Sequence, residues 1–210
     1  MKIISVLNYK GGVGKSTIVT NLASYFANRG EKVLVGDFTT QQSVSNWLKL
    51  RPHNAAIISS WGVRDNEAAT PAKDTNYIIV DSTFGIKDSA LKKIVGISDK
   101  VIVPLKSSIC DIVATQSFLE ELVGIINEQT KETDVCLVGS MVYPKTRTHE
   151  QLQQFLNETG LDTATSITNN QLYVHLMDNG LSLFDSKGSL FEKEIREEWF
   201  PLLKWALKPI

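Results

Sequence analysis

Lys10, Gly11, Gly12, Val13, Gly14, Lys15, Ser16 and Thr17 form an unbroken run of the residue types that hold a chain of phosphates. Glycines leave room for backbone N–H groups to turn inward around phosphate oxygens, and a helix opening behind them adds its partial positive charge. Lys15 then neutralises the β and γ phosphates, and the Ser16 hydroxyl is a hard oxygen ligand for Mg²⁺. The chemistry implied is binding of a nucleoside triphosphate with its magnesium ion. The strict spacing, GxxxxGK followed by Ser or Thr, calls for glycine at position 9, where this chain has Tyr9. Two carboxylates close apolar runs, Asp37 after VLVG and Asp81 after YIIV. Beside a phosphate loop, Asp81 can support a Mg²⁺-bound water; its plainer role is a helix N-cap.

A phosphate loop has to be gripped between a strand and a helix, and the flanking pattern supplies both. Ile3, Ile4, Val6 and Leu7 read as a buried strand, and Ile18, Leu22 and Phe26 recur at helical spacing. Further strands read at Lys32–Val35 (after an Arg29-Gly30 helix stop), Tyr77–Val80, Lys100–Val103 and Val135–Val142, with room for a short one at Ala55–Ser59. Helical patterns cover residues 41–50, 87–96, 111–129 and 147–158. This alternation predicts one α/β domain over residues 1–210, a doubly wound, mostly parallel sheet with helices on both faces. In such a sheet ligands bind at the carboxyl ends of strands, where Asn8, Asp37 and Asp81 fall.

Composition narrows the function classes. The chain has 210 residues, 42% hydrophobic and 21% charged, which sets it apart from disordered, collagen-like and coiled-coil chains. Lys+Arg 22 against Asp+Glu 23 leaves a net charge of −1, so no whole-chain field attracts nucleic acid or anionic lipid, although a local patch stays open. Cys110 and Cys136 stand apart without CxxC spacing, so neither a disulfide framework nor a zinc knuckle is expected, and a reducing cytoplasm is the expected compartment. The opening MKIISVLNYKGG is too short an apolar run for a signal peptide, and nothing approaches the ~18 residues of a membrane span. His53, His149 and His175 are scattered and read as surface or capping residues.

KGGVGKST resembles the deviant Walker A box of the ParA/MinD superfamily, P-loop NTPases that act in partition and positioning. VGDFTTQQSVSNW at 35–47 resembles that family's DxDPQ segment, YIIVDS at 77–82 its Walker B strand, and VIVPLKSS the strand and loop that follow. DNGLSLFDSKG at 178–188, with NNQLYV at 169–174, is most similar to the short ParF-type partition ATPases. The resemblance implies ATP and Mg²⁺ as cofactors and a homodimer closed on ATP, with Lys10 reaching into the partner subunit's nucleotide. It implies nonspecific DNA as a matrix, a small ParB-like adaptor, and partition of plasmid or chromosomal DNA or positioning of a cargo. The catalytic set it implies is Lys10, Lys15, Asp37 and Thr39. Thr39 stands where the family has its second aspartate, the residue that positions the attacking water, and Thr40 replaces the proline. A hydroxyl lacks the charge that polarises a nucleophile, so hydrolysis is expected to be slow, or the chain to serve as an ATP-locked scaffold.

Weaker constellations are read more plainly. Tyr143, Pro144, Lys145, Thr146 and Arg147 occupy the place of the family's adenine-contacting loop, or form an ordinary turn. Lys145, Arg147, Lys187, Lys193 and Arg196 are candidates for DNA phosphates, but interleaved glutamates favour a solvated helix face. The tail EEWFPLLKWALKPI invites comparison with a MinD-like membrane-seeking helix, yet it lacks the basic face that role needs, and packing on the sheet is expected. Cys136 falls in a buried strand and is expected to be a core residue rather than an iron–sulfur ligand.

Overall fold

The computed structural model describes every residue except 65–66, 83–84, 87, 187, 189 and 210. In chain order the elements are β1 (Lys2–Val6), α1 (Lys15–Ala27), β2 (Val33–Phe38), α2 (Ser43–Leu50), β3 (Ile58–Trp61), β4 (Val63–Arg64), β5 (Glu67–Ala68), β6 (Tyr77–Ser82) and α3 (Asp88–Ile97). They continue as β7 (Lys100–Leu105), α4 (Ile109–Asn127), β8 (Asp134–Val142), α5 (Arg147–Glu158), β9 (Asp162–Thr168), α6 (Gln171–Asp178), α7 (Leu190–Glu197) and α8 (Phe200–Leu207).

Seven strands form one sheet in the order β3-β2-β6-β1-β7-β8-β9, and every pair in it is parallel. Alternation along each strand divides the apolar side chains between two cores. Ile79 of β6 and Ile102 of β7 join α1 and the terminal helix α8 on one face; Ile78, Val80, Val101 and Val103 join α3 and α4 on the other. Because β1 lies between β6 and β7, the chain winds outward on both sides of it. The crevice beyond the carboxyl end of β1 is therefore the topological switch point, where this architecture binds ligands.

The register sets the site. Val6 of β1 and Asp37 of β2 are both paired with Asp81 of β6, so three strands end at the same level beside the glycine loop. Hydrogen bonds at the opposite end of the sheet close the molecule. Lys2 Nζ donates to the carbonyls of Ala206 and Lys208 at 3.2 and 2.8 Å, at the end of α8. Lys100, fully buried, donates to Asp134 at 2.6 Å and lies 4.5 Å from the Trp205 ring centroid.

Several sequence expectations shift here. The short strand read at Ala55–Ser59 begins three residues later and ends two later, at Ile58–Trp61. β9, with the sequence DTATSIT, and the β4–β5 hairpin have no counterpart in the sequence reading. β9 is an edge strand with only Ile167 buried, so its sequence carries no apolar run. The tail folds as expected: Trp199, Leu202, Leu203, Trp205 and Ala206 are buried in the core beside β9. Among the described residues no helix is long and apolar enough to cross a membrane.

Candidate nucleotide site

Between β1 and α1 the chain turns through Gly12 (φ 68°) and Gly14 (φ 83°), left-handed conformations that glycine adopts at no steric cost. A side chain at Gly14 would also meet Ser140 Oγ at 2.5 Å, so this position is closed to any larger residue. Tyr9, in the place of the loop's first glycine, packs edge-on against Phe118 of α4 with ring centroids 4.8 Å apart. Asn8 fixes the entrance: its side-chain amide donates to the Pro104 carbonyl at 2.8 Å and to Thr115 Oγ1 at 3.0 Å, while its Oδ1 accepts from the Lys10 N–H at 3.0 Å. The loop is thus anchored to β7 and α4 as well as to its own strand and helix.

Gly11, Gly12, Gly14, Lys15, Ser16 and Thr17 line a cleft of about 280 Å³. Thr39, Thr40 and Gln41 close it from the β2–α2 loop, and Met141 from the end of β8. Val13 is fully buried and serves as the loop's anchor in the core rather than as a wall of the cleft. Lys15 is itself nearly buried, and its Nζ donates to the carbonyls of Asn8 and Lys10 at 3.2 and 2.8 Å. Burial pulls its ammonium below the usual lysine range, against the attraction of Asp81. A phosphate entering the cleft exchanges those two carbonyls for charged oxygens, a stronger hydrogen-bonding partner for a desolvated cation.

The Ser16 hydroxyl donates to Asp81 Oδ2 at 2.6 Å. Asp81 is fully buried, and its other oxygen, Oδ1, has no hydrogen-bond partner among the described residues. Burial, opposed by the Ser16 bond and reinforced by the neighbouring Asp37, pushes its carboxyl up to about 7. An orphaned carboxylate oxygen beside a hydroxyl is a hard-oxygen donor set that fits Mg²⁺ and its coordinated water. Among the described residues no group of three His, Cys, Asp or Glu could hold a metal by itself, so such an ion would draw its remaining ligands from phosphate and water.

Thr39 lines the cleft and is bonded to Asp37 behind it. Asp37 Oδ1 accepts from the Thr39 N–H at 3.0 Å and from the Thr39 hydroxyl at 2.6 Å; Oδ2 accepts from the Ser45 N–H at 2.8 Å in the first turn of α2. Lys10 stands apart from its own cleft: its Nζ lies 3.7 Å from Asp111 Oδ1 at the start of α4.

A further wall of the cleft comes from a residue the sequence reading left aside. Leu137/Val138 and Gly139/Val142 mark register shifts of β8 against β9, and Met141 there takes φ 52°, a left-handed conformation that costs a non-glycine residue energy. The bulge turns Met141 into the cleft, and with Asn169, Asn170 and Tyr173 it also lines a smaller neighbouring cavity. Lys106 Nζ comes within 4.0 Å of the Cβ position of Gly12.

With this geometry in view the likenesses to known proteins are specific. Residues 1–61, from β1 through β3, match the family described as AAA domain. A maintenance of carboxysome distribution protein A from Gloeobacter kilaueensis is 31% identical over 107 residues, 49% of this chain and 48% of that protein. Protein ParA from Rhizobium radiobacter is 24% identical over 170 residues, 77% of this chain and 75% of the relative. A Borrelia burgdorferi B31 protein taken to act in plasmid partition, solved with AMPPNP, superposes with a TM-score of 0.71 at 19% identity, covering 97% of this chain and 99% of that one. The chain is similar to proteins of the ParA/MinD superfamily and shares their fold. It spans about half the length of the Gloeobacter relative.

The structure makes sense of the C-terminal segment. Gly180 takes φ 67°, and a Cβ there would sit 2.3 Å from the Leu50 carbonyl carbon, so the segment can lie directly on the end of α2. Trp47 Nε1 donates to the Leu181 carbonyl at 3.0 Å, Asn21 Oδ1 accepts from the Leu183 N–H at 3.0 Å, and Arg51 reaches Asp185 at 2.6 Å. Trp47, Asn21 and Arg51 are therefore packing partners of the segment 181–185.

The weaker candidates separate. Arg196 is withdrawn from any phosphate role: it donates to the carbonyls of Leu183 and Ser186 and holds the C-terminal segment. Lys145, Arg147 and Lys193 are exposed, while Lys187 lies outside the described residues. Tyr143 is exposed and bonded through its hydroxyl to Asn169. Cys136 is fully buried, and burial pushes its thiol up to about 12, the state of an inert core residue; Cys110 is exposed.

Proposed function

We propose that this chain is an ATP-dependent switch that dimerises on Mg²⁺·ATP and serves partition of DNA or positioning of a cargo, with slow hydrolysis as its timer. The observation that carries the reading is the Ser16–Asp81 pair beside the glycine cleft, with one buried carboxylate oxygen unpartnered and Lys15 poised over the loop. Lys15 and the loop N–H groups would hold the phosphates, and Ser16 and Asp81 the magnesium ion with its water. Bound magnesium would neutralise charge on the β and γ phosphates.

Slow turnover follows from what Thr39 does in the loop. Its proton is committed to Asp37, and its oxygen accepts from the Gln42 N–H at 2.9 Å, so it can orient a water without taking up a proton. Asp37 has both oxygens engaged in shaping the loop. Neither group is free to act as a base as the loop stands.

ATP titration by calorimetry with and without Mg²⁺, followed by light scattering and phosphate release, tests the reading. Expected are Mg²⁺-dependent ATP binding, a dimer with ATP and not ADP, and release far slower than dimerisation. Absence of ATP binding would remove the proposal. Co-sedimentation with DNA against liposomes, at stated salt, tests the matrix, with DNA expected, since Trp199, Leu202, Leu203 and Trp205 of the tail are buried in the core.

A further inference from the structure

The end of the edge strand β9 is held by a carboxylate from the tail. Ile167 is the strand's one buried side chain, and its pairing with β8 passes through two register shifts before Val142 meets Thr168. Glu198, between α7 and α8, supplies the missing hold. Its Oε2 accepts from the Thr168 N–H at 2.9 Å, and the Thr168 hydroxyl lies 2.9 and 3.1 Å from its two carboxylate oxygens. The Glu198 carbonyl accepts in turn from the Thr165 hydroxyl at 2.6 Å. A carboxylate makes hydrogen bonds roughly twice as strong as those of a neutral acceptor, so this clamp fixes the last residue of β9.

Thr168 and the two residues after it line a cavity of about 60 Å³ that shares Thr17 and Met141 with the phosphate cleft. A nucleotide whose phosphates occupy the glycine loop therefore has its nucleoside end within reach of this cavity. The walls suit one edge of a heteroaromatic base: Ile18, Ile167 and Val174 are apolar, and Asn169 and Asn170 bring amides. Asn169 gives its NH₂ group to the Tyr143 hydroxyl, and Asn170 Oδ1 accepts from the Leu172 N–H. Among the described residues, Asn169 Oδ1 and Asn170 Nδ2 are left as an acceptor and a donor. Trp199, beside Glu198 and fully buried, also lines the cavity and donates from Nε1 to the Tyr173 hydroxyl at 2.9 Å.

We propose that Glu198 is a positioning residue for the nucleoside end of the bound nucleotide, acting through Thr168 on Asn169 and Asn170. The inference rests on the nucleotide reading above and adds a residue to it from the far end of the sequence. Preorganised amides bind a base without first having to be ordered, and that advantage is what the clamp supplies. Glu198 touches neither the glycine loop nor its lysine, so its loss falls on the nucleoside and leaves the phosphate contacts in place. Lys2 holds the tail at its other end, through the carbonyls of Ala206 and Lys208, and serves as the contrast: cutting it loosens the tail without touching the clamp.

The test compares ATP with inorganic tripolyphosphate, both with Mg²⁺, as competitors of a fluorescent ATP analogue on the full chain. Glu198→Ala is expected to weaken ATP about tenfold and leave tripolyphosphate unchanged. Glu198→Gln, which keeps an acceptor for the Thr168 N–H, is expected to recover ATP affinity to within about threefold of wild type. Lys2→Met is expected to match wild type with both ligands. Should Glu198→Ala lose its fold, Thr168→Val takes its place, with a loss in the same direction. Hydrogen exchange at saturating ATP gives a second reading: the amides of Asn169 to Tyr173 are expected to be protected in wild type and less so in Glu198→Ala. Equal weakening of both ligands, no weakening of ATP, equal protection, or an effect of Lys2→Met as large as that of Glu198→Ala would overturn the positioning role while the phosphate site stands. Wild type that binds tripolyphosphate as tightly as ATP would overturn it too, since the nucleoside would then add nothing. Wild type that binds neither ligand would remove the nucleotide reading together with this one.

Discussion

The Thr39 hydroxyl donates to Asp37 Oδ1 at 2.6 Å, and the same oxygen accepts the Thr39 N–H at 3.0 Å. The threonine is therefore a partner of the first aspartate and part of the turn that starts α2. Thr39→Asp replaces a donor with a second carboxylate beside Asp37, which costs the loop about 1–2 kcal/mol of stability and supplies a charge that can polarise water. Single-turnover hydrolysis is expected to quicken at least tenfold, since a positioned acid–base group is typically worth ~10²–10⁴. Asp37→Ala is expected to loosen the first turn of α2 and lower ATP affinity. Brisk wild-type turnover that Thr39→Asp leaves unchanged would sink the slow-timer reading.

Much of this architecture is legible in the sequence because parallel strands buried on both faces must be apolar throughout. KIISV, YIIVDS and KVIVPL leave no other reading, and the helix at Arg147–Glu158 has its expected bounds. β9 is illegible for the complementary reason: as an edge strand it buries Ile167 alone and uses threonines elsewhere. The loop residues were legible by type, while their partners depend on strand register. Nothing local to Asp111 points to Lys10, and nothing near Asp185 points to Arg51. Lys15 reads as an exposed loop lysine and proves nearly buried, because its ammonium folds back onto the Asn8 and Lys10 carbonyls.

That burial sharpens what Lys15→Ala should do. The substitution removes a cation held against two backbone carbonyls and takes away the cost of desolvating it. Stability is expected to change by less than about 1 kcal/mol, while ATP affinity falls by about two orders of magnitude or more. Calorimetry and a denaturation curve on one sample check both; unchanged affinity in a folded variant would remove the site.

Arg51 and Asp185 form a pair with side chains only 6% and 3% exposed, between the end of α2 and the C-terminal segment. Burial pushes the Asp185 carboxyl up, but hydrogen bonds and charge from Arg51, with help from Asn28 and the Ser182 N–H, outweigh it and hold the group below the usual carboxylate range. A carboxyl depressed on folding contributes stability in full above its unfolded value near pH ~4, and loses it as pH falls through the lower folded value. Arg51→Met is expected to cost about 3–5 kcal/mol at pH 7 by stranding a buried anion. Without Arg51, burial raises the Asp185 carboxyl, so the deficit should narrow as acid neutralises it. Urea denaturation of both proteins from pH 7 to pH 4 reads this directly, and a deficit independent of pH would show that packing, not charge, is what Arg51 supplies.

Lys10 leans away from its own cleft, and the geometry says what restrains it. Its Nζ lies 3.7 Å from Asp111 Oδ1, with the lysine side chain 40% exposed, and Asp111 Oδ2 accepts from the Ser108 hydroxyl at 2.5 Å. Asp111 is thus fixed in the first turn of α4, where a carboxylate is favoured by the helix dipole, and the lysine is the movable partner. An exposed pair of this length is worth at most about 1 kcal/mol, which a phosphate on a partner subunit can outbid. If Lys10 acts across the dimer, Lys10→Ala should bind ATP as a monomer and fail to dimerise. Asp111→Asn should release the lysine and shift dimerisation to lower protein concentration, by no more than about fivefold. Light scattering over a concentration series with ATP distinguishes the possibilities. A full dimer from Lys10→Ala would disprove the role across the interface, whereas an unchanged midpoint for Asp111→Asn would leave that role standing and show that Asp111 does not restrain it.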